Sequence, residues 1–194
     1  MIIAIDGPSA AGKGTLARGV AKHLGYHFLD TGALYRMVGL SVLRGAADPV
    51  AAAQNLNIAD FDDADLRDEK VAQAASKIAT IPEVRAALLN FQREFALKKP
   101  GAVLDGRDIG TVICPQAEFK FYVTASVAAR AERRFRELQN TGVAIEEIAE
   151  DIRSRDERDA KQSKPSEDAI FIDTSELTAE ECLSEVIKVI AGGV

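Results

Sequence analysis

Ile2-Ile3-Ala4-Ile5-Asp6-Gly7-Pro8-Ser9-Ala10-Ala11-Gly12-Lys13-Gly14-Thr15 opens the chain, and Leu16, Val20 and Leu24 follow at i, i+4 and i+8. An unbroken apolar run that ends in a carboxylate reads as a strand buried on both faces. Apolar residues four apart read as one face of a helix. The glycines between them permit positive φ and close backbone approach, so successive N–H groups can wrap a phosphate. A helix starting near Lys13 adds the positive end of its dipole. Lys13 supplies a point charge for β- and γ-phosphates, and the Thr15 hydroxyl can face a nucleotide or its magnesium. Strand, glycine loop and helix thus occur in the order a phosphate cradle needs, and Gly7, Pro8, Ser9, Ala10, Ala11, Gly12, Lys13, Gly14 and Thr15 are its candidate residues.

The same strand signature recurs downstream. Ala102 to Asp105 and Ala169 to Asp173 are apolar runs ending in Asp, Phe119 to Thr124 is a fourth strand, and His27 to Asp30 a short fifth. Helical patterns separate them. Val84, Leu88, Phe91 and Phe95 stripe a helix opened by Pro82 and stopped before Pro100-Gly101. Thr178 with Glu181 forms a capping box at the start of the last helix. Alternating strands and helices indicate an α/β fold: a P-loop core with a five-stranded parallel sheet covered by helices on both faces. Two stretches break the rhythm. A mostly helical excursion at about residues 31–100 carries the acidic run Asp60 to Asp65, read as a solvated loop. About residues 130–165 hold two basic helices joined at Thr141-Gly142. Both are expected to be insertions nested in one domain of 194 residues.

Composition narrows the partners. With 24 Lys and Arg against 30 Asp and Glu, the formal charge of -6 lacks the footprint of a general nucleic-acid binder. An anionic substrate must therefore meet local positive clusters. Cys114 and Cys182 are too few for a disulfide framework and have no zinc-like spacing, and His23 and His27 read as structural. No apolar run reaches the ~18 residues of a membrane span. The expectation is a cytoplasmic monomer with no nucleic-acid or membrane partner.

A phosphate loop alone does not choose among kinases, motor ATPases and switch GTPases. The Asp-x-x-Gly and Asn-Lys-x-Asp elements of a switch GTPase are absent from the sequence, and the chain is short for a motor. A small-molecule kinase needs an acceptor site. Leu29-Asp30-Thr31-Gly32-Ala33-Leu34-Tyr35-Arg36 and Asp105-Gly106-Arg107-Asp108-Ile109-Gly110-Thr111 each follow a strand, where ligands of open α/β sheets bind. Arg36 and Arg107 are candidate phosphate forks. The plainer alternative is that they only pair with Asp30 and Asp105.

These segments, with the Gly-Lys-Gly-Thr form of the loop, resemble the nucleoside monophosphate kinases, and bacterial cytidylate kinases in particular. The resemblance includes Ala74-Ala75-Ser76, Pro82-Glu83-Val84-Arg85, Arg153-Ser154-Arg155-Asp156-Glu157-Arg158-Asp159 and Ile172-Asp173-Thr174-Ser175. It implies transfer of the ATP γ-phosphoryl group to CMP or dCMP, with Mg2+. It implies that Ser76, Arg85 and Asp108 read cytosine, with Asp30 and Thr31 nearby. Arg36 and Arg107 would hold the acceptor phosphate, and Arg155 and Asp159 the sugar or bridging phosphates. A carboxylate suits the cytosine N4 amino donor, and Ser and Arg suit its acceptors.

Within the basic hairpin, Arg130, Arg133 and Arg134 share one helix face, as do Arg155 and Arg158. They form a candidate lid: Arg130 and Arg134 for ATP, and Arg155, Arg158 and Asp159, with Lys13 and Arg107, for the transferring group. The alternative is a salt-bridged surface hairpin. Asp105 is a candidate to order magnesium-bound water or Arg107, with Thr15 as the other metal candidate. The chain departs from the family pattern at Gln162, where Arg is expected, with Lys161 and Lys164 as possible substitutes. The stretch between the Arg36 and Ser76 helices is short and lacks the small sheet such kinases often carry. The rivals are a related kinase acting on another monophosphate or metabolite, and a nucleotide-binding regulator without transfer activity.

Overall fold

The computed structural model describes residues 1–138, 142–160 and 163–193, with the backbone alone at residue 67. Thr141, Lys161 and Gln162, which carried the hairpin junction and the departure from the family pattern, lie outside the described residues. The chain divides into two compact units, Met1–Leu29 with Ala96–Val194, and Asp30–Phe95.

The first unit is built on a five-stranded parallel sheet in the order β2-β3-β1-β4-β5. Its strands are β1 (Ile2–Asp6), β2 (His27–Asp30), β3 (Ala102–Gly106), β4 (Phe119–Thr124) and β5 (Ile170–Asp173). The expected strands are all present. β3 runs one residue further than its apolar run, and β5 begins at Ile170 rather than Ala169.

β1 lies in the middle, in register with β3 (Ile5 beside Asp105) and with β4 (Ile5 beside Phe121). That position explains its unbroken apolar run, since neighbouring strands and both faces exclude water. Side chains alternate across the sheet. Ile3 and Ile5 pack with Val103, Phe121, Val123 and Ile172 against α1 (Lys13–Leu24) and the C-terminal helix, Ala179–Gly192. Leu16, Val20, Val186 and Ile190 supply the helix side of that core. Asp6 falls on the opposite face, with Ile2 and Ala4. The edge strand β5 is less covered, and Phe171 is 61% exposed.

α1 opens straight from the loop at Lys13, and its C-cap Gly25 takes φ 67, a left-handed turn that suits glycine. The capping box of the C-terminal helix is present in both directions: Glu181 N–H donates to Thr178 Oγ1 at 3.2 Å, and Thr178 N–H donates to Glu181 at 2.8 Å. His27 Nε2 lies 2.9 Å from the Lys99 carbonyl, in keeping with a structural role.

The second unit is helical. It holds α2 (Thr31–Leu43), α3 (Pro49–Gln54), α4 (Glu69–Ile78) and most of α5 (Pro82–Ala96). No strand occurs in it beyond Asp30 among the described residues. Gly39 lets α2 and α4 approach closely, because a Cβ there would stand 3.0 Å from Ala75 N. The acidic run forms short turns, and Asp65 pairs with Arg44 at 2.5 Å.

The basic hairpin belongs to the first unit. Its helices, α6 (Val127–Glu137) and α7 (Ile145–Asp159), bury Ala131, Ile148 and Ile152 against each other. The C-terminal helix, Ala179–Gly192, is α8.

Two substitutions grade these contributions. Phe121→Ala empties a side chain that is 1% exposed, and it should cost about 3–5 kcal/mol in urea unfolding. Thr178→Ala removes only the cap and should cost about 1 kcal/mol.

Candidate active site

The chain leaves β1 toward β2 on one side, and leaves β4 toward β5 on the other. The change of direction falls between β1 and β4, and the loop Gly7–Thr15 lies at the carboxyl end of β1, where open α/β sheets bind ligands. Gly7 is required by space: a Cβ would sit 1.9 Å from the Val123 carbonyl oxygen, and its φ is 144. Ala10 takes φ 59 and Gly12 φ 87, so the loop curls back on itself before α1. Gly12 gives α1 no side-chain cap, and the first turn holds no acidic residue, so the first N–H groups of α1 form a positive helix end.

Lys13 is buried along this loop. Its ammonium donates to the Pro8 carbonyl at 2.8 Å and stands 3.9 Å from Asp105. Asp105 therefore faces Lys13 and the start of α1, where a Cβ on Gly14 would be 3.2 Å from its carboxylate. Thr15 is exposed on the next position of the helix.

Arg107 does not pair with Asp105. Its Nε donates to Asp159 of α7 at 3.1 Å. Asp108 is buried at the head of a π-helical turn, Ile109–Ile113, without capping that turn by its own side chain.

The arginines of α6 divide into two kinds. Arg130, 4% exposed, donates to the Ala125 and Ser9 carbonyls and makes a two-pronged bridge to Asp156 at 2.9 and 2.6 Å. It ties the phosphate loop to both helices of the hairpin. Arg134 lies toward the surface and pairs with Glu137 at 3.0 Å. On α7, Arg155 is half-buried and Arg158 is exposed, its Nε donating to the Ser154 carbonyl.

The expected acceptor residues of the helical unit fall in two places. Asp30 caps α2 by accepting from Ala33 N–H at 3.0 Å, and it pairs with Arg36 at 2.7 Å. Thr31 is buried beside it. Arg85, from α5, places its guanidinium 5.9 Å from the centre of the Tyr35 ring and reaches toward the Ala79 carbonyl at 3.4 Å. Ser76 is half-buried on α4.

Sequence reasoning missed two groups around the loop. Thr174 is buried. Its hydroxyl donates to the Ala11 carbonyl at 3.0 Å, with the Thr124 carbonyl at 3.2 Å, and accepts from Arg133 at 2.9 Å. Arg133 also donates to the Thr174 carbonyl. Asp6 accepts from the N–H groups of Ile109 and Gly110, each at 2.8 Å. Its signal was visible as the first of three strands that end in Asp.

Within the first unit, the loop Gly7–Thr15, Lys13, Arg107 and the arginines of α6 thus form a candidate site for an anion. Residues 3–192 match the sequence profile of the cytidylate kinase family. The chain belongs to that family. It is 54% identical over 194 residues to the cytidylate kinase of Cereibacter sphaeroides, covering 97% of this chain and 94% of that one. It is 51% identical over 204 residues to the cytidylate kinase of Paramagnetospirillum magneticum, covering 97% of each. Among solved structures, shikimate kinase from Acinetobacter baumannii has the same fold, with a TM-score of 0.56 at 17% identity, covering 98% of this chain and 93% of that one.

Burial raises the Asp6 carboxyl to about 6, against the lowering effect of the Gly110 and Ile109 N–H bonds; Asp108 raises it further and Lys13 lowers it. A raised folded-state value means that Asp6 adds stability below its unfolded value of 3.8, and that this stability is lost as pH rises through about 6. The difference amounts to about 3 kcal/mol. In Asp6→Asn the fall of unfolding free energy between these two pH values should shrink by that amount; an unchanged pH slope would contradict the assignment.

Proposed function

We propose that the chain transfers the γ-phosphoryl group of ATP to CMP or dCMP, forming ADP and the nucleoside diphosphate by in-line displacement. The observation that carries this reading is the loop Gly7–Thr15, in which Lys13 lies beside Asp105 at an uncapped helix start, in a chain of the cytidylate kinase family.

Loop amides and Lys13 hold the β- and γ-phosphates of ATP. The residues also suit a hard cation travelling with ATP. The Thr15 hydroxyl and Asp105 are oxygen donors next to the loop, and no cluster of three His, Cys, Asp or Glu among the described residues forms an all-protein cage. Bound there, Mg2+ would offset phosphate charge.

Arg36 and Arg107 each hold an aspartate oxygen here, so taking up the acceptor phosphate exchanges one oxyanion for another around a guanidinium already in place. Asp108 accepts from the cytosine amino group, while Ser76 and Arg85 donate to its acceptor atoms, with Thr31 nearby. Arg155, Arg158 and Asp159, from the lid helix α7, reach the sugar and the transferring group and exclude water. Arg134 contacts ATP, whereas Arg130 acts through its bond to Ser9 as a brace of the loop. Among the described residues no helix is long and apolar enough to cross a membrane. We read the enzyme as a cytoplasmic monomer.

A phosphorylation assay over CMP, dCMP, UMP, AMP and shikimate tests the substrate. CMP and dCMP should be turned over best; equal or faster turnover of AMP would refute the cytidine assignment, and ATP binding without any transfer would favour a regulator. Lys13→Ala should lower kcat/KM by about three powers of ten, at ~1.4 kcal/mol of transition-state stabilisation for each. Asp108→Ala should raise the KM for CMP and relax base choice while leaving the KM for ATP near wild type.

A further inference from the structure

The phosphate reading leaves one buried charge of the nucleotide-binding unit without a task. Asp6 ends β1, is 5% exposed, and points to the face of the sheet opposite α1 and α8. Its two oxygens are captured separately: Oδ1 accepts from Ile109 N–H and Oδ2 from Gly110 N–H, each at 2.8 Å.

These amides open the π-helical turn Ile109–Ile113, and amides at the start of any helix have no carbonyl of their own turn to bond. The residue in front of a helix ordinarily satisfies them with its own side chain. Asp108 stands in that place, has a side chain able to do so, and makes no such bond. Asp6, on another strand, makes the cap instead. The peptide planes that follow Asp108 are thus fixed from β1, and the Asp108 carboxylate is spared capping.

We propose that Asp6 is a positioning residue for acceptor recognition: by gripping the amides of Ile109 and Gly110, it fixes the backbone from which Arg107 and Asp108 project. This rests on the reading of Arg107 and Asp108 as acceptor-binding residues.

Two bonds to one carboxylate set both the height and the tilt of the turn, and charge-assisted bonds of this kind are stronger than neutral ones. Asparagine cannot reproduce them, since its amide offers one acceptor oxygen and turns an NH2 toward the second N–H. Gly110 gives an independent handle. A Cβ there would stand 3.3 Å from the Lys120 side chain and 3.4 Å from Asp6 Oδ2, so Gly110→Ala crowds the surroundings of the grip and leaves the Asp6 charge in place.

The test varies CMP and ATP separately in steady-state kinetics of the full chain and of Asp6→Asn, Gly110→Ala and Asp108→Ala. Amide hydrogen exchange at residues 109 and 110 is measured alongside. Asp6→Asn and Gly110→Ala should each raise the KM for CMP about tenfold, the effect of losing one such bond, with the KM for ATP unchanged within about twofold, and should speed exchange at both amides. A KM for CMP that stays at the wild-type value in both variants, while Asp108→Ala raises it, overturns the positioning role. So does a rise confined to the KM for ATP, which would place Asp6 in the service of the adjoining phosphate loop. Unaltered exchange at residues 109 and 110 overturns the grip itself. If Asp108→Ala leaves the KM for CMP unchanged, the acceptor reading fails and the positioning role falls with it, even where exchange is faster. Should Asp6→Asn fail to fold, Gly110→Ala decides alone.

Discussion

No carbon can occupy the β position of residue 7, because the Val123 carbonyl oxygen would be 1.9 Å from it. That exclusion follows from β1 being held on both edges, by β3 and β4, so that the chain leaving β1 has to pass tightly over the end of β4. Much else in the first unit depends on this passage. The turn after Gly7 starts α1 at Lys13 with its first amides uncapped. It brings the Ser9 carbonyl to Arg130 of α6 and the Ala11 carbonyl to Thr174 at the end of β5. The loop is therefore gripped through its carbonyl oxygens, at Pro8, Ser9 and Ala11. An anion cradle is served by carbonyl groups engaged in this way, since free carbonyls turned inward would repel phosphate.

The arginines show a related economy of charge. Arg36 holds Asp30, Arg107 holds Asp159, and Arg130 holds Asp156. A guanidinium left alone in a partly buried place would carry a large desolvation cost. Paired with a carboxylate it keeps its orientation and its charge is balanced. The two kinds of pair differ in depth. Arg36 and Arg107 are about one-third exposed, at 31% and 29%, which permits exchange of partners. Arg130 is 4% exposed and also bound to two backbone carbonyls, which marks it as a fixture of the loop and hairpin.

What could be read from the sequence follows from how local each signal is. Strand β1, the start of α1 at Lys13, Pro82 at the start of α5 and the Thr178–Glu181 box were legible because each depends on residues within a few positions. The phosphate loop was legible for the same reason. Partners across the fold were not. Nothing in the run Asp105-Gly106-Arg107-Asp108 tells that Arg107 turns to Asp159, 52 positions away, or that Asp105 faces Lys13. Asp6 sat in plain view at the end of an apolar run, but its partners are 103 and 104 positions distant, and only the sheet register brings them together. Ser76 had no local signal at all; a serine in mid-helix is ordinary, and only the resemblance to a family raised it.

Net charge gave a misleading first impression for a related reason. A chain of -6 looks ill suited to two polyanionic nucleotides. The acidic residues around the loop and hairpin, however, hold cations in place. Asp156 and Asp159 lie one helical turn apart on α7; Asp156 faces Arg130 of α6 and Asp159 faces Arg107, which follows β3. Without Asp159, Arg107 would keep only its bond to the Gly106 carbonyl, whereas Arg130 would keep both of its backbone carbonyls without Asp156. For an enzyme whose chemistry is mainly positioning and charge stabilisation, acidic residues thus serve by holding guanidinium groups in a fixed geometry.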